Sequence, residues 1–355
     1  GYNFDYVNAE VIATMSVKNG RFVLPDGMTY RVLVLPPQTT MRPAVLKKLK
    51  ELIAAGGIVV GPAPDRSPSL ENYPACDLEV QKMAQEIWQN CDGTKVKKVK
   101  FGQGTVYNGA DLTTVFNDFQ VSADRGNMDL TRLAWIHRSA PGAEIYYISN
   151  QTDATVQTSP SFRVSGLQPE LWNPVTAGTR DLPDFKQENC KTIVPLEFAP
   201  RESYFVVFRK KVTTPVKNAI NFVRKKTIGE LDGAWTVYFD KKWGAPDSVV
   251  FEKLEDWTKR PEPGIKYYSG TARYRKVFDA PQYASNAPVF LNLGAFNAMA
   301  VVKLNGATLG LVWAEPHQVD ISKFIKAKGN VLEIEITNTW NNRLVGDAAL
   351  PAEKR

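Results

Sequence analysis

The sequence predicts a multidomain chain in which an α/β domain is followed by all-β domains. Three observations carry this. Near the start, two short apolar runs flank a segment of helical period; after about residue 120 the pattern changes to short strands bounded by turn residues; from about residue 228 a second alternating pattern begins, rich in aromatics. A length of 355 residues leaves room for two or three domains, each with its own core.

Tyr30 to Leu35 (YRVLVL) is almost continuously apolar, the pattern of a strand buried on both faces of a parallel sheet, and Pro36 and Pro37 end it. Arg42 to Ala55 then places Val45, Leu46, Leu49, Leu52 and Ile53 at helical spacing, with Pro43 suited to a first turn. Gly56 and Gly57 stop that helix, and Ile58 to Val60 begins the next strand, so the unit is expected to be a right-handed βαβ crossover. A second helix over Asp77 to Asn90 buries Val80, Met83, Ala84, Ile87 and Trp88, and a third covers Asp111 to Phe119. The expectation for residues 1–120 is a flavodoxin-like three-layer domain.

Residues 121–211 carry strand candidates at Leu133 to His137, Glu144 to Ser149, Ser161 to Val164, Thr192 to Leu196 and Tyr204 to Arg209. Pro141-Gly142 and Asn150 to Asp153 supply turns between them, and a small antiparallel β-sandwich follows. Residues 212–227, opening VTTPVKNAINF, have linker character. Beyond them alternation is clear in Ala272 to Phe278, Met299 to Leu304 and Val331 to Thr337. Asn305-Gly306 is a strong two-residue hairpin turn ahead of Thr308 to Val312. A jelly roll over 228–355 is expected.

Composition narrows the function classes. With 43% hydrophobic and 23% charged residues, disorder is excluded as the default. The net charge of +7 would suit a nucleic acid, but 44 basic residues are interspersed with 37 acidic ones. The dense basic runs (Lys95 to Lys100, Arg209 to Lys211, Arg224 to Lys226) are the short kind found on solvated strand faces, so no nucleic-acid partner is expected. Cys76, Cys91 and Cys190 show no CxxC spacing, and His137 and His317 stand far apart, which argues against a zinc site. Cys76 and Cys91 either pair around the intervening segment, as an oxidising compartment would permit, or remain reduced. No apolar stretch reaches the length of a membrane-spanning helix. The opening at Gly1, without an initiator Met or signal sequence, and the finish at PAEKR read as cuts inside a longer protein.

Longer stretches carry a family resemblance. GELDGAWTVYFD (229–240), SGTARYRKVFDAP (269–281) and the run from Leu291 to Leu344 are similar to the sugar-binding jelly roll of family 2 glycoside hydrolases. The shared features are an early Trp, a hairpin reading LNG..LG, an aromatic rim, a VDIS turn and a last long strand reading N.LEIEITN.W. The closing NTWNNRLVGDAALP most resembles the C-terminal end of the bacterial α-L-rhamnosidases of glycoside hydrolase family 106. SGLQPELWNPVTAG followed by TIVPLEFAPRESYFVVFRK resembles the small sandwich those enzymes carry between barrel and jelly roll, and FDYVNAEV…YRVLVLPP…AAGGIVVGPAP resembles a flavodoxin-like domain that follows a catalytic barrel. The resemblance spans essentially the whole chain. It implies the C-terminal region of a rhamnosidase-like protein, ending in a galactose-binding-like jelly roll, periplasmic or extracellular in a bacterium.

Glycoside hydrolysis needs two carboxyl groups across one sugar, usually at strand ends of a barrel. At most two βα repeats occur here. In the resembled family the catalytic acids belong to the barrel, so the resemblance assigns no catalytic residue to this chain. Glu170 in PELW has the reading of a hydrogen-bonded turn residue beside Trp172, while Asp5 and Glu10 stand where the chain would leave a barrel and are candidates for its rim. Trp313, His317, Trp340, Asn341, Asn342 and Arg343 mix aromatic faces with hydroxyl-binding groups, as sugar contacts do. They are candidates either for substrate binding or for docking to a barrel, with Trp235 and Trp340 as core aromatics the structural alternative.

No cofactor is expected. The turns after Leu35 (PPQTT) and Val60 (GPAP) lack a phosphate cradle, and prolines remove backbone donors there. His317 has no second His nearby for a metal, and no ligand run marks the structural Ca²⁺ common in jelly rolls. The expected function is a non-catalytic accessory portion of a rhamnosidase-like glycoside hydrolase, supporting an upstream barrel that acts on a rhamnose-containing polysaccharide. The alternatives are an autonomous carbohydrate-binding module and the accessory region of a β-galactosidase- or β-glucuronidase-like family 2 enzyme.

Overall fold

A computed structural model of the chain describes residues 2–212, 219–284 and 287–351. The chain forms two compact units, Gly1–Asp124 and Arg125–Arg355. Its class is α/β plus β-sandwich.

In the first unit, helix α1 (Ala9–Thr14) precedes a small antiparallel sheet of β1 (Ser16–Lys18), β2 (Arg21–Val23) and β3 (Thr29–Tyr30). A four-stranded sheet follows, built from β4 (Val32–Val34), β5 (Ile58–Val60), β6 (Lys98–Phe101) and β7 (Gly104–Tyr107) in the order β4-β5-β7-β6. β4, β5 and β7 run parallel, and β6 turns back antiparallel to β7. Between β4 and β5 lies α2 (Pro43–Ala54), with proline in its first turn, where no backbone donor is lost. β5 is buried at every position because its alternate side chains enter two cores. Val59 joins Leu46, Leu49 and Ile53 of α2 and Val80 and Ile87 of α3 (Ala75–Trp88). Ile58 and Val60 join Tyr107 and Val115 of α4 (Leu112–Asp118) on the opposite face. The α4 N-cap is Asp111, whose carboxylate accepts the Thr114 backbone N–H at 2.9 Å and is held below the usual carboxylate range by that bond.

Gly104 lets this sheet close. A Cβ there would lie 2.1 Å from the Ile53 carbonyl oxygen and 2.4 Å from that of Gly57, so only glycine passes between α2 and β5. Cys76 and Cys91 are both free and buried, and burial pushes the Cys91 thiol up.

The second unit contains two β cores. In the first, β9 (Leu133–Ala140), β10 (Ala143–Asn150), β13 (Leu167–Trp172), β14 (Thr179–Asp181) and β18 (Ser203–Lys211) form a sheet ordered β14-β13-β18-β10-β9. A second sheet, β15-β16-β12-β8, consists of β8 (Arg125–Gly126), β12 (Ser161–Phe162), β15 (Lys186–Glu188) and β16 (Lys191–Ile193), with β11 (Val156–Thr158) and β17 (Leu196–Phe198) paired beside them. Tyr146, Ile148, Val206 and Phe208 of the first sheet bury themselves with Phe162, Val194 and Phe198, and the Tyr146 and Phe162 rings meet edge to face at 4.7 Å.

Two expectations need correcting here. The strand over Thr192 to Leu196 is two strands in different sheets, because Pro195 has no N–H to continue a ladder. Glu170 is not in a turn: it lies within β13, which pairs with β18 through a register shift at Gln168/Pro169.

Residues 213–218 of the linker-like stretch lie outside the described residues. The residues after them are anchored. Buried Asn221 exchanges hydrogen bonds with the Asp184 backbone (2.9 and 2.7 Å) and donates to the Pro195 carbonyl (2.9 Å). Lys225 donates to the Gln318 side chain at 2.7 Å and sits over the Phe290 ring.

The second core lies against a six-stranded sheet, β20-β19-β21-β26-β23-β24, made of β19 (Trp235–Tyr238), β20 (Ser248–Phe251), β21 (Thr271–Phe278), β23 (Met299–Leu304), β24 (Ala307–Val312) and β26 (Asn330–Thr337). A pair, β22 (Phe290–Asn292) and β25 (Gln318–Asp320), completes it, with a short helix α5 (Pro263–Lys266). Trp235, Phe239, Phe251, Tyr268 and Tyr274 fill this core with Val302, Leu304 and Leu332. The β23–β24 hairpin turns on Asn305 (φ 53°) and Gly306 (φ 84°), the positive dihedrals that such a two-residue turn requires. The chain closes with α6 (Asn341–Ala348), a helix not anticipated from the NNRL motif.

Candidate functional site at one end of the six-stranded sheet

Strand register decides which loops meet. Thr271 pairs with Thr337, Thr337 with Met299, and Ala300 with Val312. The loops that follow Tyr238, Val312 and Thr337 and those that precede Thr271 and Met299 therefore gather at one end of the sheet. They bring Trp243, Phe296, Trp313, His317 and Trp340 to that end, although these residues are scattered through the sequence.

Trp340 is 61% exposed and meets Trp243 edge to face at 5.6 Å, so it is not a core aromatic, whereas Trp235 is buried. It caps α6, whose seat explains two further candidates. The Asn342 amide donates to the Tyr268 carbonyl at 3.3 Å, and the Arg343 backbone N–H donates to Ser269 Oγ at 2.9 Å. The Arg343 guanidinium pairs with Asp347 one turn on, at 3.0 Å. Gly346 permits the close approach, since a Cβ there would lie 2.7 Å from Tyr267 Cγ. With that side of the helix held down, Leu344 and Val345 face solvent beside Trp340, and Asn341 is exposed at the first helical position. Trp243 and Val345 were not among the site residues expected from the sequence. Spacing of Trp340, Leu344 and Val345 at i, i+4 and i+5 was the available signal, masked by the short polar start of the helix.

Trp313 is 56% exposed, while His317, four residues on, is buried. The His317 ring lies against Phe296 at 4.3 Å, and its Nδ1 donates to the Gly294 carbonyl at 3.0 Å, with Glu315 Oε1 at 3.5 Å. A carbonyl can only accept, so the hydrogen on Nδ1 is fixed by this contact.

The rim candidates belong to the first unit. Asp5 accepts the Tyr30 hydroxyl at 2.7 Å, and Glu10 is exposed in the first turn of α1, where a negative charge suits the helix dipole. Around them Phe4 and Tyr6 stack edge to face at 5.6 Å, and Tyr6 is 95% exposed.

Among the described residues, two deeply buried carboxylates of the second unit are held by structural partners. Glu170 is 2% exposed and ion-paired with Arg209 (2.7 Å) and Lys210; burial would raise its carboxyl, but the two cations outweigh burial and hold it below the usual range. Glu202 goes the other way. Burial pushes its carboxyl up, and the bonds from Tyr204 and from the Ala199 N–H (2.7 Å) do not offset it.

Among the described residues, no group of His, Cys, Asp and Glu side chains is arranged to hold a metal ion, and no helix is long and apolar enough to cross a membrane.

Residues 1–187, more than half of the chain, match the family of glycoside hydrolases 106, described as α-L-rhamnosidase. The chain belongs to this family. It is similar to the rhamnosidase of Novosphingobium sp. PP1Y, whose structure shares 32% identity and a TM-score of 0.83 over 99% of this chain and 33% of that one. It is also 22% identical to a Formosa agariphila protein provisionally named a β-glucuronidase, over 99% of this chain and 48% of the other. This family 106 chain thus spans about half the length of the curated relative and about a third of the rhamnosidase. The family match ends within β15, so the six-stranded sheet and its aromatic end lie beyond it.

Proposed function

We propose that this chain is the C-terminal accessory portion of a longer α-L-rhamnosidase-like glycosidase and that it supports a catalytic barrel upstream. One observation carries the reading: 99% of this chain aligns with only 33% of a rhamnosidase, at a TM-score of 0.83. The order within it is a flavodoxin-like domain over 1–120, a small sandwich over 121–211 and a galactose-binding-like jelly roll over 228–355. Hydrolysis of terminal α-L-rhamnosyl residues of a polysaccharide belongs to the barrel's paired carboxyl groups. The structural engagement of Glu170 and Glu202 supports that division of labour. Placement in the periplasm or outside a bacterial cell is part of the same proposal.

The barrel's docking surfaces are the exposed apolar patches. One is Trp340 with Trp243, Leu344 and Val345; another is the Phe4/Tyr6 segment that carries Asp5 and Glu10. Exposed contiguous apolar side chains of this kind mark interaction surfaces, and the occupant is the further region that the longer relatives possess. The test is association between this chain and a separately produced upstream portion of its parent. Trp340→Ala combined with Leu344→Ala is expected to weaken the complex by at least about tenfold, ~1.4 kcal/mol. An unchanged affinity would remove α6 from the interface.

A β-glucuronidase-type parent is the second reading, favoured by the provisional name of the Formosa protein.

A further inference from the structure

We propose that Asn19, at the tip of the β1–β2 hairpin, is a site of spontaneous covalent modification, converting in water to aspartyl and isoaspartyl forms while the other Asn-Gly pairs of the folded chain stay intact. The sequence contains three such pairs, Asn19-Gly20, Asn108-Gly109 and Asn305-Gly306. A glycine after asparagine leaves the next peptide nitrogen unshielded by a side chain, so all three start from the same intrinsic reactivity. What separates them is how the fold holds the asparagine amide.

Two of the pairs occupy the same kind of turn and so serve as an internal control. Lys18 pairs with Arg21, and Leu304 with Ala307, each across a two-residue loop. The φ angles are 51° and 68° at Asn19 and Gly20, and 53° and 84° at Asn305 and Gly306. The side chains differ. Asn305 Nδ2 donates to the Phe324 carbonyl at 2.7 Å and to Asn330 Oδ1 at 3.0 Å, and Asn305 Oδ1 accepts the Val331 N–H at 2.9 Å. Asn108 Nδ2 donates to the Cys91 carbonyl at 3.1 Å, and its amide packs on Gly93, where an added Cβ would lie 2.9 Å from Asn108 Cγ. Asn19 is exposed, and among the described residues its side-chain amide has no hydrogen-bond partner.

In the reaction the Gly20 backbone nitrogen, having lost its proton, attacks Asn19 Cγ. A C–N bond forms, the Cγ–Nδ2 bond breaks, and Nδ2 leaves as ammonia with a proton drawn from water. Water then opens the cyclic imide at either carbonyl, giving an aspartyl chain or an isoaspartyl chain that runs through the side-chain carbon. Ring closure requires Cγ to swing toward the Gly20 nitrogen, so a brief opening of the turn precedes it. β1 and β2 are three residues each, which makes that opening easy. At Asn305 the strands are six residues each, and the opening must also break the bonds that hold the side chain. The product places a new negative charge between Lys18 and Arg21, and the isoaspartyl form lengthens the main chain by one carbon. Gly20 lies against Gly56, whose added Cβ would sit 3.8 Å from Gly20 Cα, so the change reaches the corner between α2 and β5.

The experiment holds the folded 355-residue chain in mildly alkaline buffer and follows its proteolytic peptides by mass spectrometry, with a protein isoaspartyl methyltransferase reporting the isoaspartyl form. The Asn19 peptide is expected to gain product at least about tenfold faster than the Asn108 and Asn305 peptides. The rate should rise with pH, because the attacking nitrogen must lose its proton. In denaturant the three sites should convert at similar rates, since only the fold distinguishes them. Asn19→Gly keeps the turn, as glycine adopts both positive dihedrals, and should abolish the product at this position. Conversion of Asn108 or Asn305 as fast as Asn19 in the folded chain, a stable Asn19, or the same disparity in denaturant would each overturn the inference.

Discussion

Glu170 keeps its charge inside a β-sheet because two cations from the neighbouring strand reach it from the side that water also reaches. Arg209 and Lys210 are about half exposed, whereas the carboxylate is almost wholly covered. Replacing it by Gln removes the ion pairs while the two cations turn to water, so the loss should be smaller than for a fully buried pair, about 1–3 kcal/mol. The folded carboxyl titrates below its unfolded value, so its contribution is complete above the unfolded glutamate pKa of about 4.3 and is lost as pH falls through the lower folded value. Thermal melts should show a constant gap between wild type and Glu170→Gln from neutral pH to about pH 5 that narrows in more acid solution. A gap that widens toward acid would contradict this account. Nothing in the PELW motif disclosed the pairing, because the cations come from β18, about forty residues later.

At the scale of elements, legibility followed the locality of the signal. The β4–α2–β5 unit was readable because every cue lies within thirty residues: an apolar run, a Pro at the first helical position, the Gly56-Gly57 stop and a second apolar run. The Asn305-Gly306 hairpin was readable for the same reason. β13 was not. It contains Pro169 in a strand paired on both sides, which the rules of strand propensity disfavour, and a register shift is what accommodates it. Of the candidate site, the sequence disclosed Trp313, His317 and Trp340, but not that strand register assembles them at one end or that α6 uses Asn342 and Arg343 for its own seating. The closest packing in the first unit belongs to this scale too. Gly104→Ala forces a methyl group against two backbone carbonyl oxygens, which cannot rotate away. It should cost at least about 2 kcal/mol, seen as an earlier unfolding transition and faster amide exchange in β5 and β7. An unaltered transition would show that the α2–β7 approach is looser than described.

For the whole molecule, the +7 charge is spread over interspersed acids and bases, many of them paired on strand faces, as with Arg273–Glu333 and Lys303–Glu335. Among the described residues, exposed aromatic and apolar side chains also face outward. They suit a protein partner at Trp340 and α6. This suits the proposal that the bond-breaking chemistry resides in the rest of a longer parent. That central claim is tested most directly by turnover of an aryl α-L-rhamnoside, with this 355-residue chain and its full-length parent assayed side by side. The account predicts hydrolysis by the parent and none above the uncatalysed rate by the chain alone. Hydrolysis by the isolated chain, abolished by substitution of one of its own carboxylates, would contradict it.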